Sequence, residues 1–141
     1  MKKRAVSLFL IFLIPIFLAG CGNQVTPNFE GTSWKLNTYL NNTGHLVSPI
    51  ANTKATLEFK DGRISGASGC NTFFANYALN GRFISFGLVG STKMACKNPG
   101  IMEQEKTYLN NLSLVKSYKL EGNKLSLIDD KGKTILTFTK N

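Results

Sequence analysis

Gly66-Ala-Ser-Gly-Cys-Asn-Thr-Phe-Phe-Ala-Asn-Tyr77, running on through a glycine turn and a short apolar run to Ser91-Thr-Lys-Met-Ala-Cys96, decides how this chain reads. Large side chains crowd it: Phe73, Phe74, Tyr77, Phe83 and Phe86. Aromatics each bury a large apolar area, so this segment is expected to supply much of the core. Gly66 and Gly69 punctuate its first strand, the mark of a bulge or of a close backbone approach. Phe73 to Leu79 then reads as extended, Asn80-Gly81 as a type I′ hairpin turn, and Arg82 to Phe86 as the returning strand, with Ile84 and Phe86 facing inward.

The same pattern extends outward in both directions. Upstream, Ala55 to Lys60 alternates, with Leu57 and Phe59 on one side and Thr56, Glu58 and Lys60 on the other. Asp61-Gly62 follows at once, a strong hairpin signal into Arg63-Ile64-Ser65-Gly66. Trp34 to Leu40 reads as a first strand after the turn-like Gly31-Thr32-Ser33, and Asn41 to Asn52 as a loop. Downstream, Asn98 as N-cap and Pro99 at the first helical position predict a helix over about 99–112. Ile101, Met102, Glu105, Tyr108, Leu109 and Leu112 fall on one face of it. Strands at Leu114 to Leu120, Lys124 to Ile128 and Thr134 to Thr139 close the chain. The expected fold is mainly β: six to eight antiparallel strands in a curled sheet or small barrel, closed by one helix.

A chain of 141 residues allows one domain, and its first twenty residues are read as an address and not as part of the fold. Lys2, Lys3 and Arg4 precede an apolar run from Ala5 to Phe17, the layout of a secretory signal. Pro15 and the short length of the run argue against a spanning helix. Leu18-Ala-Gly-Cys21 resembles a bacterial lipobox, which implies that Cys21 is lipidated and becomes the mature N-terminus. Gly22, with no Asp in its place, is similar to the outer-membrane-sorted pattern of Gram-negative lipoproteins. Residues 21–29 then read as a flexible tether and 30–141 as the domain. Without residues 1–20, 14 of the 17 basic residues remain against 8 acidic ones, a net charge of +6. The basic residues are scattered singly, which together with an export signal argues against nucleic acid as a partner. Cys70 and Cys96 are the two cysteines left once Cys21 carries lipid, and an oxidising compartment makes them a structural disulfide. A redox or nucleophilic role has little support, since there is no Cys-x-x-Cys and His45 is the sole histidine.

Gly69-Cys70-Asn71-x-Phe73-x-x-x-Tyr77, followed by Thr92-x-Met94-Ala95-Cys96, closely resembles the paired signature of the META domain, or HslJ-like family. Met102-x-x-Glu105-x-x-Tyr108-Leu109-x-x-Leu112, Leu125-x-Leu127-x-Asp129 and Leu136-x-Phe138 are similar to the segments that follow it there. Ala75 departs from the Gly that many members carry. The resemblance spans roughly residues 30 to 140. It implies a lipocalin-like curled sheet or barrel with one helix, in secreted or envelope proteins linked to heat shock, stress or virulence. No catalytic activity is established for the family, so no catalytic residue carries over, and no cofactor or metal is implied.

Glu105 stands out among the candidate site residues, because a carboxylate on an apolar helix stripe must be paired or hydrogen-bonded. As a structural brace it would bond backbone NH groups or a base such as Lys93 or Arg82; as a functional group it would act as a ligand or an acid/base. Asn71 is read as capping a turn or taking a left-handed backbone, and Thr92 and Met94 as packing around Cys96. His45 is expected in a solvent-exposed loop, and Asp129-Asp130 in a hairpin turn that makes a poor Ca²⁺ site. Three functions follow: a non-enzymatic, lipid-anchored envelope protein that binds a partner in a stress-related role; a carrier of a small apolar ligand inside the barrel; or an inhibitor of an exported hydrolase through the loop Asn41 to Asn52.

Overall fold

The computed structural model describes residues 26–141; the signal segment, Cys21 and most of the tether lie outside the described residues. In chain order the elements are β1 (Thr32–Leu40), β2 (Leu46–Val47), β3 (Lys54–Lys60), β4 (Arg63–Gly69), β5 (Thr72–Asn80), β6 (Phe83–Phe86), β7 (Gly90–Ser91), α1 (Ile101–Leu114), β8 (Ser117–Glu121), β9 (Lys124–Ile128) and β10 (Thr134–Lys140). Each barrel strand pairs antiparallel with its neighbours in the order β10-β9-β8-β6-β5-β4-β3-β1. Pairing of β1 with β10 closes the ring, so eight strands form the barrel that the sequence led us to expect. The two-residue strands β2 and β7 add to β1 and β5 and were not foreseen.

Turn chemistry sets the register. Asp61 and Gly62 both hold positive φ (53° and 72°), as a type I′ turn requires, and Lys60 pairs with Arg63. The next hairpin differs from expectation. Asn80 pairs with Phe83, so the central residues are Gly81 and Arg82, and only Gly81 has positive φ. That is the type II′ pattern, which asks for glycine at the first central position.

Trp34, Leu57, Phe59, Ile64, Phe73, Tyr108, Leu125 and Phe138 fill the interior, each at most 2% exposed. Burial on this scale stabilises by about 1.5–3 kcal/mol per large side chain. Two members of the aromatic segment do not join them: Phe74 is 50% exposed and Phe83 56%. Side chains alternate along a strand, and Phe73 and Ala75 take the inward positions of β5, which sends Phe74 out. Outside, each ring carries a guanidinium instead, Arg63 over Phe74 at 5.4 Å and Arg82 over Phe83 at 5.3 Å. The close backbone approach expected at the glycines is found at Gly66, where a Cβ would stand 2.1 Å from the Thr56 carbonyl oxygen.

The barrel is plugged at both ends. At the end that carries the turns Asp61-Gly62, Gly81-Arg82 and Gly122-Asn123, Phe29 is buried, stacked on Phe59 at 4.9 Å and edge-on to Tyr118 at 5.0 Å. Glu30 locks that plug: its carboxylate accepts from Asp61 N (2.8 Å), Gly62 N (3.0 Å) and Tyr77 Oη (2.6 Å). Helix α1 stops the opposite end. It starts at Gly100, which takes the left-handed region (φ 78°) as N-cap, and not at Asn98-Pro99; Ile101 N donates to Asn98 O. Its buried face also departs from the apolar stripe, because Met102 is 41% exposed while Gln104, Thr107 and Asn111 are buried. A barrel mouth offers peptide groups left over from the sheet, and these polar side chains serve them. Ile50 N donates to Gln104 Oε1 (2.6 Å), Asn111 Nδ2 to Leu40 O (2.9 Å), and Tyr108 Oη to Thr56 O (3.0 Å).

Candidate functional site

Beside α1, the chain turns from β4 into β5 through Gly69-Cys70-Asn71, and Ser68 N donates to Asn71 O (2.9 Å) to close the turn. Gly69 sits at φ 121°, a region side chains avoid, and a Cβ there would stand 2.8 Å from Ile101 Cδ1. This tight packing against the helix brings Glu105 onto the turn. Glu105 Oε2 accepts from Ser68 Oγ (2.6 Å) and Asn71 N (2.7 Å), and Oε1 accepts from Asn71 Nδ2 (2.6 Å). Burial pushes this carboxyl up, but the Ser68 hydroxyl, the Asn71 carboxamide and the amides of Asn71 and Cys70 outweigh it. The group is held below the usual glutamate range. With both oxygens taken it is a braced anion, neither a free base nor a free ligand. The backbone-bonded alternative is the one realised; among the described residues Lys119–Glu121 is the one ion pair, so neither Lys93 nor Arg82 meets it.

Asn71 does more than cap a turn, and its φ is not positive, so the left-handed expectation fails. Beyond Glu105, its carboxamide faces the segment that follows β7. Met94 N donates to Asn71 Oδ1 (2.7 Å) and Asn71 Nδ2 donates to Met94 O (3.0 Å). That two-point exchange is what a neighbouring strand would offer one residue of an edge. Thr92 Oγ1 donates to the same Oδ1 (2.8 Å), and Thr92 N donates to Thr72 O (3.0 Å), so the pairing of β7 with β5 runs on to Thr92 and residues 92–96 continue from it as a strap. The Cys70–Cys96 disulfide (Cα–Cα 6.0 Å) closes the far end of that strap, as the cysteine count led us to expect.

Between the strap and α1 lies an open groove of about 520 Å³, lined among others by Asn71, Lys93, Met94, Met102, Lys106 and Leu109. Met94 is 59% exposed, and Ala95 is exposed beside it. Met94 keeps its carbonyl 3.6 Å from Cys70 Sγ of the disulfide while its side chain faces outward and forms one wall. Of the residues quoted for the family resemblance, Asn71, Thr92, Met94, Ala95, Met102, Glu105 and Leu109 meet here. Phe73 and Tyr77 are placed elsewhere, one in the core and one at the Glu30 clip. Sequence reading passed over Ser68, whose single proton serves the carboxylate, and Lys106, which lies one residue past Glu105 and shares the groove. His45 is exposed and contacts Thr43 Oγ1 (3.1 Å). Asp129 Oδ1 accepts from Lys131 N and Lys133 N, a turn as expected. Among the described residues no cluster of three or more His, Cys, Asp or Glu side chains gathers as a metal ion needs.

Known proteins match this architecture. A family model described as the META domain matches residues 27–141. A solution structure of a protein from Burkholderia xenovorans is 27% identical with a TM-score of 0.66, covering 100% of this chain and 99% of its own. A second solution structure is 25% identical, TM-score 0.57, covering 79% of this chain and 90% of that one. A DUF4847-family protein from Bacteroides vulgatus shares the fold at 17% identity and TM-score 0.55, covering 80% and 94%. No match is found among curated proteins.

Proposed function

The chain belongs to the META-domain family, and from that premise we propose a non-enzymatic, lipid-anchored protein of the cell envelope. Through the groove between the strap and α1 it binds a partner, in a stress-related role in envelope maintenance. The observation that carries the reading is the exposed wall of Met94 and Met102 beside Leu109, built by a network rigid enough to present it. Glu105 holds the turn at Asn71, and Asn71 and the disulfide in turn hold the strap. A filled barrel axis supports surface binding over an apolar ligand carried within. The Asn41 to Asn52 loop is tied to α1 by Asn42 Nδ2 donating to Glu103 Oε1 (2.6 Å) and by Ile50 donating to Gln104, which supports the same reading over an inhibitor's protruding loop. The anchor rests on the Leu18-Ala-Gly-Cys21 resemblance, and Gly22 with no Asp in its place supports the outer membrane, facing the periplasm, in a Gram-negative cell.

Two measurements test this. Cys21→Ser should abolish labelling by an alkyne-tagged fatty acid and release the protein from the membrane fraction. A photo-crosslinking side chain at Met94 should capture one discrete protein in the envelope, while the same group at Asn123, at the opposite barrel end, should not. Capture that is equal at both positions, or absent at Met94, refutes the groove as the binding site.

A further inference from the structure

The backbone along the groove alternates in its commitments. Thr92 gives its N–H to Thr72 O, and Met94 gives both its N–H and its carbonyl to the Asn71 carboxamide. Lys93 and Ala95, between and after them, have no backbone hydrogen-bond partner among the described residues, and both are exposed. In an extended segment, successive residues point their N–H and C=O groups to opposite sides. β7 and the strap that follows it thus form an edge held on its inner side at Thr92 N and at both Met94 peptide groups, with the Lys93 and Ala95 peptide groups unpaired. β7 pairs with β5 alone, so no strand of the barrel covers that side. Such an edge is a template for another extended chain.

The side chains beside the edge define what that chain must carry. Met94 and Met102 present adaptable apolar surface on either side of the groove, and thioether side chains suit a site that re-packs around its guest. Lys93 and Lys106 flank them, exposed and without a carboxylate partner among the described residues. The one carboxylate at the groove, Glu105, has its charge taken up by Ser68 and Asn71. The groove therefore offers apolar contact, unpaired main-chain groups and uncompensated positive charge together.

Building on the partner-binding reading above, we propose that the partner is engaged as an added β-strand. An extended polypeptide segment, with apolar side chains flanked by carboxylates, pairs with the Lys93–Ala95 edge and sets an apolar side chain between Met94 and Met102. Main-chain pairing supplies affinity in this mode, and the pockets and charges beside the edge supply selectivity. Asn71 is then the positioning residue: by holding Met94 as a strand neighbour would, it leaves the Lys93 and Ala95 peptide groups free for an added strand.

The test uses oxidised residues 26–141, which contain every barrel strand and both end plugs, labelled with ¹⁵N and titrated with a blocked peptide of alternating valine and glutamate. Saturable shifts confined to the strap and α1, with slowed hydrogen exchange at the Lys93 and Ala95 amides, are expected. Methylating the backbone amides of the peptide, which removes its strand donors, should weaken binding by about tenfold or more. The exposed double variant Lys93→Glu/Lys106→Glu should switch preference to a valine–lysine peptide. Unprotected Lys93 and Ala95 amides, equal binding of the N-methylated peptide, or an unaltered charge preference each overturn the proposal. So does decanoate moving the Met94 and Met102 methyl groups where the peptide does not, which marks a lipid groove. A protein crosslinked at Met94 together with a failed peptide titration removes the added strand and leaves partner binding standing.

Discussion

Replacing Glu105 with Gln tests the brace most directly. The carboxylate accepts three hydrogen bonds of 2.6–2.7 Å from Ser68 and Asn71, and every one has a donor on the other side. A glutamine of the same shape must turn its NH₂ toward one of those donors. Asn71 cannot flip to accommodate it, because its Oδ1 already accepts from Met94 N and Thr92 Oγ1 while its Nδ2 donates to Met94 O. One charge-assisted bond is lost with a donor left facing a donor, and the remaining bonds lose their ionic character. We expect a loss of about 3 kcal/mol at pH 7, read as the urea midpoint multiplied by an unchanged slope. For a domain of this size that corresponds to a melting temperature lower by roughly 10 °C. The pH dependence adds a second constraint. Glu105 is held below its ordinary value of 4.5, so its stabilisation is complete above that value and is lost as pH falls through the lower folded-state one. Parent and variant should therefore converge in acid. A deficit under about 1 kcal/mol at pH 7, or one that persists unchanged in acid, would show that these donors do not address an anion.

Three further outcomes follow from the geometry. Cys70→Ser opens a crosslink spanning 26 residues of sequence and should cost about 3.5 kcal/mol by chain entropy under oxidising conditions. With dithiothreitol present, calorimetry should find variant and parent close together; equal gaps in both conditions would sink the crosslink account. Gly66→Ala drives a methyl into the Thr56 carbonyl at 2.1 Å and should destabilise by roughly 3 kcal/mol, whereas Gly87→Ala, which meets its first neighbour at 3.7 Å, should be near neutral in the same denaturation assay. Burial and the bond to Glu30 push Tyr77 up to about 12, so its contribution is whole below pH 10 and is lost as pH rises toward 12. Tyr77→Phe should flatten the alkaline fall in urea midpoint without abolishing it, since Tyr39, Tyr108 and Tyr118 are raised as well.

Local chemistry made the barrel strands readable, and tertiary demands hid the rest. Asp61-Gly62 announces its turn because two adjacent positive φ values suit few other residue pairs. Counting aromatics as core was less safe, because the alternation along β5 that buries Phe73 necessarily exposes Phe74. Helix α1 misled for a physical reason. A helix lying on an apolar sheet shows an apolar stripe, but one stopping a barrel mouth must serve peptide groups left over from the ladder. Gln104 and Asn111 therefore sit where Met102 was expected. Glu105 was visible as a carboxylate out of place, yet its partners Ser68 and Asn71 lie more than thirty residues upstream and nothing local points to them. Neither β2 nor β7 has a run long enough to show alternation, so the strap beside the groove was beyond reach of pattern alone.

The Phe29 plug and the Glu30 clip have a mechanical consequence. Any tension on the segment preceding them enters the fold at Phe29, three residues before β1 begins. β1 leaves that end of the barrel paired through Thr32–Lys35 with β3 on one side and through Trp34–Tyr39 with β10 on the other. A pull applied there, along the strand, loads both ladders in shear, so that many bonds resist at once and none is peeled singly. The groove lies by α1, at the opposite end. A load between a tether at one end and a bound chain at the other would therefore run the length of the barrel, across its best-connected strand.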